Sequence, residues 1–213
     1  MSVQDEVKEI KKSFRLSMNG VVSTLQRRQG LDYKINFGVE LPRLKEIADT
    51  HAKNGELAEA LWRENIRECK ILAILLMPDE CCGDIAEQWI AETIFTEIAD
   101  ILAMHLLCKV PDATAKALLW SARTDRMFCY CGYRTLSHLI RRGTQLDKGQ
   151  ETTLFNNLAT ATFGDSVTEK CAHNTIMHYI DRNPDATDRF QDTIAARNSN
   201  NGNLTTLLKN IGL

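Results

Sequence analysis

The chain has 213 residues, 44% hydrophobic and 25% charged, a balance that fits a folded globular protein and excludes a disordered or fibrous one. A formal net charge of −2 excludes a uniformly basic nucleic-acid binder and leaves room for a local basic surface. Seven cysteines, an odd number, fit free thiols in a reducing cytoplasm better than a disulfide framework. The charged start, MSVQDEVKEIKK, predicts no signal peptide, and no apolar run approaches the roughly 20 residues of a membrane span. With only four prolines and eleven glycines there is little linker material, so a single domain over 1–213 is expected.

Residues 3–29 read as one or two helices, with Val7, Ile10, Phe14, Met18, Val21, Val22 and Leu25 at helical spacing. Lys8, Lys11, Lys12 and Arg15 share the polar side, which is either a solvated face or a phosphate contact. Residues 30–38 form an irregular connection. Three short amphipathic helices follow between Phe37 and Asp79. Leu41-Pro42 opens the first, with proline where its missing N–H costs nothing. Asn54-Gly55 is expected to end it. The second runs from about Glu56 to Glu64. The third starts near Ile66, is almost continuously apolar over 71–77, and stops at Pro78. A helix apolar nearly all round has to be covered on several sides, which implies stacked layers of helices.

Beyond Pro78 the pattern predicts helices over about 82–91 and 94–108. In the second, Ile94, Phe95, Ile98, Ile101, Leu102 and Leu106 fill one arc, and Asp100 lies opposite with Thr96 and Met104. Pro111 starts a helix with Leu118, Leu119 and Trp120. A longer one spans 125–142 and ends at Gly143. Helices over 148–162 and 165–181 follow, the latter capped by Asp165 or Ser166. Pro184 opens another to about 196. Residues 197–203 read as a polar loop, and 204–208 as a short terminal turn. Around eleven helices with no strand and no clean sequence repeat define an all-α protein. Trp62, Trp89 and Trp120 sit on apolar faces, where core packing is favoured over base stacking.

No metal site is expected. Cys81-Cys82 and Cys129-x-Cys131 lack the spacing of zinc clips, and His173 and His178 diverge on a helix. Without a Walker loop, a dinucleotide fingerprint or a GxSxG elbow, no cofactor is expected either.

Gly38, Val39, Pro42, Leu44, Ile47 and Ala48, then Leu57, Ala58, Leu61 and Trp62, then Ile66, Arg67, Glu68, Lys70, Leu72, Ala73 and Leu75 form a composite pattern. It resembles that of the AlkD-like DNA alkylation repair proteins. The resemblance implies a curved superhelical stack of antiparallel helix pairs, that is, HEAT-like repeats; a monomer is expected. It also implies a concave face that binds alkylated or distorted duplex DNA, and excision of alkylated purines. By position, Asp100 matches the family's groove aspartate, the expected catalytic residue, with an ordinary helix-surface aspartate as good a reading; Arg134 matches an arginine near a backbone phosphate, with a salt bridge between helices as good a reading. Family tryptophans that pack against the DNA sugars are replaced here by Thr96 and, on a late helix, by His173 or Asn174. With Lys8, Lys11, Lys12, Arg15, Arg141 and Arg142, these residues form the expected DNA contacts. A non-catalytic helical module binding protein or DNA structure is the alternative, because stacked repeats supply such surfaces generically.

Overall fold

The computed structural model describes residues 2–197, so the expected loop at 197–203 and turn at 204–208 lie outside the described structure beyond residue 197. The described residues form α1 (Val3–Leu16), α2 (Gly20–Arg28), α3 (Leu41–Asp49), α4 (Gly55–Arg63), α5 (Arg67–Leu76) and α6 (Cys82–Glu92). They continue as α7 (Thr96–His105), α8 (Ala113–Ser121), α9 (Arg126–Arg141), α10 (Lys148–Thr160), α11 (Ser166–Arg182) and α12 (Ala186–Arg197). Among them the only extended pairing is an isolated bridge between Ile35 and Ile66. The fold is all-α, as the helical periodicity predicts. Two compact units divide it, Met1–Glu87 and Gln88–Leu213, with the division inside α6.

In the first unit α4 packs on α1 and α5, and α3 packs on α5. Helix α5 buries Ile71, Leu72, Ile74 and Leu76. Each such side chain contributes about 1.5–3 kcal/mol relative to exposure. The buried pair Arg67–Glu68 opens α5. Glu68 accepts hydrogen bonds from the Phe37 and Val39 amides at 3.2 and 3.3 Å, and Arg67 donates to the Val39 carbonyl at 2.9 Å. This clasp pins the extended connection before α3. Within it Gly38 has φ 70°, and a Cβ there would stand 2.2 Å from the Asn19 carbonyl oxygen, so only glycine fits. Lys70 donates to the Trp62 carbonyl, and its ammonium lies 4.3 Å from the Trp62 ring centroid. Much of the sequence pattern that carries the resemblance is therefore scaffold.

Two local expectations fail in this unit. Asn54-Gly55 does not end α3; Asn54 caps α4 by accepting from the Leu57 amide at 3.0 Å, and α3 stops at Asp49. The side-chain acceptor of asparagine suits a helix start as well as glycine suits a helix stop. Helix α2 buries none of its residues, and Met18, Val21 and Leu25 are exposed. Their spacing marks an amphipathic helix but does not say that its apolar face is covered.

In the second unit α8 and α9 form an antiparallel hairpin held close at Gly132, where a Cβ would meet the Ser121 amide nitrogen at 2.3 Å. Helix α9 also packs on α7 and α11, and α10 packs on α8 and α12. Contacts across α9 occur in matching order along all three helices. Arg142 of α9 donates to the Met104 carbonyl of α7 at 3.0 Å, and Arg182 of α11 to the Arg141 carbonyl of α9 at 2.7 Å. Helices α7, α9 and α11 therefore run parallel in one layer, with α8, α10 and α12 as their antiparallel partners. The two arginine contacts span 38 and 41 residues, the period of a helix-pair repeat. The repetition absent from the sequence is present in the contacts. Asp165 rather than Ser166 caps α11, accepting from the Val167 and Thr168 amides, each at 3.0 Å. Ile94, expected on the apolar arc, is exposed, as is Leu119, whereas Trp62, Trp89 and Trp120 are buried.

Candidate nucleic-acid interface

Asp100 lies in the first half of α7, on one stripe with Thr96 and Met104, and all three are partly exposed. Opposite it, α9 presents Tyr130 and Arg134, one turn apart and therefore on the same side. The Tyr130 hydroxyl donates to Asp100 Oδ1 at 2.8 Å. Arg134 Nε also lies 2.8 Å from that oxygen but makes no hydrogen bond among the described residues, so the contact is a charge pair rather than an aligned bond. Burial, followed by the Asp100 charge, raises the Tyr130 pKa and keeps its hydroxyl a donor.

Further along α9 the positive charge accumulates. Burial, and then Arg134, Arg142 and Arg141, push the imidazole of His138 down to about 4. His138 is thus neutral at physiological pH, and its Nε2 is buried with no hydrogen-bond partner among the described residues. Ser137 Oγ lies 2.8 Å from His178 Nδ1 of α11. Burial, then Arg141, lowers the pKa of His178, which Asp181 opposes. Arg141, Arg142 and Arg182 are exposed. Burial pushes the Cys171 thiol of α11 up to about 12, with Arg134 pulling the other way, which favours the protonated thiol.

The layer separates His173 and Asn174, the two candidate contact residues of α11. On α11, Asn174 is exposed and lies about 40–60° around the helix from Cys171 and His178, which face α9. His173 turns away and meets the Phe163 ring edge-on at 6.4 Å, with Phe163 in turn 6.0 Å from Tyr133. Asp100, Thr96, Arg134, Asn174, Arg141 and Arg142 thus belong to the α7–α9–α11 layer.

Lys8, Lys11, Lys12 and Arg15 belong to the first unit, on α1. Lys8 pairs with Asp5 at 3.2 Å and Lys12 with Glu9 at 2.6 Å. Lys11 pairs with Glu64 at 3.0 Å, holding α1 to the end of α4. Arg15 is exposed. Sequence reasoning missed Tyr130, His138 and Arg182. The stripe from Tyr130 through Arg134 to His138 and Arg141 was available at helical spacing, but the face it met was not.

Among the described residues, no helix is long and apolar enough to cross a membrane. The family described as "DNA alkylation repair enzyme" matches residues 24–200. A solved structure described as "A new family of proteins related to the HEAT-like repeat DNA glycosylases with affinity for branched DNA structures" has a TM-score of 0.73 against this chain. It is 17% identical, and the match covers 88% of this chain and 82% of that one, a likeness of fold. A search of curated proteins gave no match.

Proposed function

This chain belongs to the DNA alkylation repair enzyme family, and on that premise we propose that it binds alkylated or distorted duplex DNA through the face of the α7–α9–α11 layer. The observation that carries the reading is the Asp100–Arg134 pair, 2.8 Å apart and part-exposed beside Arg141, Arg142 and Arg182. Arginines on that face suit phosphates, which fix register without reading sequence. A single carboxylate among them suits a cationic centre.

In this reading Asp100 acts on a purine alkylated at N3 or N7. The base carries positive charge, so its glycosidic bond is weakened. As the C1′–N bond breaks, its electron pair passes to the purine, which leaves neutral. Asp100 stabilises the charge that develops on the sugar. A water oxygen then bonds to C1′, and its proton passes to the carboxylate or to solvent.

Release of methylated base from alkylated duplex DNA tests excision. Asp100→Asn is expected to leave DNA binding intact or slightly tighter and to slow release by roughly a hundredfold to a thousandfold. Thr96→Trp is expected to raise lesion affinity or activity, with base–aromatic stacking of ~1–3 kcal/mol as its upper range. Thr96 and Asn174 favour a second reading, recognition of DNA structure without excision, because neither offers an aromatic face to a cationic nucleotide. Absence of base release from both wild type and Thr96→Trp, with no effect of Asp100→Asn, selects that second reading.

A further inference from the structure

We propose that Tyr130 is the positioning residue of this site: it fixes the Asp100 carboxylate through Oδ1 and leaves Oδ2 to face the bound nucleotide. The inference rests on the DNA reading above. Tyr130 and Arg134 converge on one oxygen, but only Tyr130 makes a hydrogen bond to it. Tyr130 is also the better fixed of the two. It is 5% exposed, packed in the layer between α7 and α11, whereas the Arg134 side chain is 29% exposed. A phenol has few rotatable bonds, and burial and the Asp100 charge keep this one protonated, hence a donor.

The division of labour has a chemical consequence. A phosphate near Arg134 competes with Asp100 for the guanidinium. If Arg134 held the carboxylate, DNA binding would release Asp100 at the moment its position matters. With Tyr130 as the anchor, Arg134 can turn its remaining N–H groups to a phosphate while Asp100 stays in place. Asp100 Oδ2 makes no hydrogen bond or ion pair among the described residues, so it is the oxygen open to a developing positive charge.

The test uses the full chain and two short duplexes. One carries a pyrrolidine nucleotide, cationic at neutral pH; the other carries the neutral tetrahydrofuran nucleotide at the same position. Their affinity ratio reads the carboxylate at the sugar. Wild type is expected to favour the cationic duplex by about tenfold, and Asp100→Asn to abolish the preference. Tyr130→Phe should cut the ratio about threefold, partway toward the Asp100→Asn result, through weaker binding of the cationic duplex. Arg134→Ala should weaken both duplexes alike. A Tyr130→Phe ratio equal to that of wild type, equal weakening of both duplexes by that variant, or no wild-type preference overturns the proposal. Crystal structures of the DNA-free variants give an independent reading. Asp100 should leave its position in Tyr130→Phe and keep it in Arg134→Ala, and the reverse overturns the proposal. If wild type binds neither duplex, the DNA reading falls, while these structures still decide whether Tyr130 anchors Asp100.

Discussion

The Arg67–Glu68 pair of the first unit and the Asp100–Arg134 pair of the second use charge in opposite ways. In Met1–Glu87 the buried charges face inward and hold backbone: Glu68 takes two amides of the connection before α3, and Arg67 takes a carbonyl of the same stretch. In Gln88–Leu213 the Asp100–Arg134 pair and the arginines at the ends of α9 and α11 lie on a part-exposed face. Charges that build a fold thus sit beside those that can meet a ligand in one sequence, and residue type alone does not separate them. Burial and partner do.

The strongest way to break the contrast is Glu68→Ala. It removes the adjacent counter-charge of the buried Arg67 and strands two amides, and should cost about 3–5 kcal/mol in urea unfolding of the full chain. A loss under 1 kcal/mol would place Glu68 among the surface charges. Gly132→Ala comes next. Its methyl would press on the α8 backbone, so a loss of about 1–3 kcal/mol is expected, read as a lowered urea midpoint. DNA affinity should fall with it, because α9 carries the arginine stripe.

These contacts also show where the sequence was legible. Helical spacing placed α4, α5, α9 and α11 within a residue or two and put Asp100 on one stripe with Thr96 and Met104. Asp165 was readable as a cap. What could not be read was which face meets which helix. Tyr130 looks like any buried aromatic until α7 is set beside it, and Val21 and Leu25 look like core although among the described residues they are exposed. Asn54 was misread because one polar residue serves both helix ends. Periodicity reports a face, and tertiary packing decides its partner.

Asp165 gives a smaller effect, with a pH signature. Burial opposes its ionisation, but the Thr168 amide and hydroxyl together with Arg126 outweigh it and hold the carboxyl at about 2, below its ordinary 3.8. A lowered folded pKa means that this stability is complete above about 4 and is lost as pH falls through about 2. Asp165→Ala should cost about 0.5–2 kcal/mol at pH 7. Its difference from wild type should shrink across that acid window, as followed by acid unfolding. The smallest expected effect is in the salt dependence of duplex binding. Arg141→Gln should lower the slope of log affinity against log salt by ~0.9, one phosphate's worth. Lys8→Gln should change it less, since Asp5 already offsets Lys8 at 3.2 Å. Equal changes would bring α1 into the interface on the same footing as α9.

Parallel helices align their macrodipoles, so the carbonyl ends of α7 and α9 gather partial negative charge along one edge. Arg142 and Arg182 answer it by reaching back one repeat to the terminal turns of the preceding helix. Each guanidinium has five N–H donors, and the carbonyl contact leaves the others available. A phosphate arriving at that edge meets side chains that have already given up much of their rotational freedom. In the proposed DNA reading, the entropy of ordering an arginine is settled during folding, not at binding, so the contact that closes the stack would also prepare the surface.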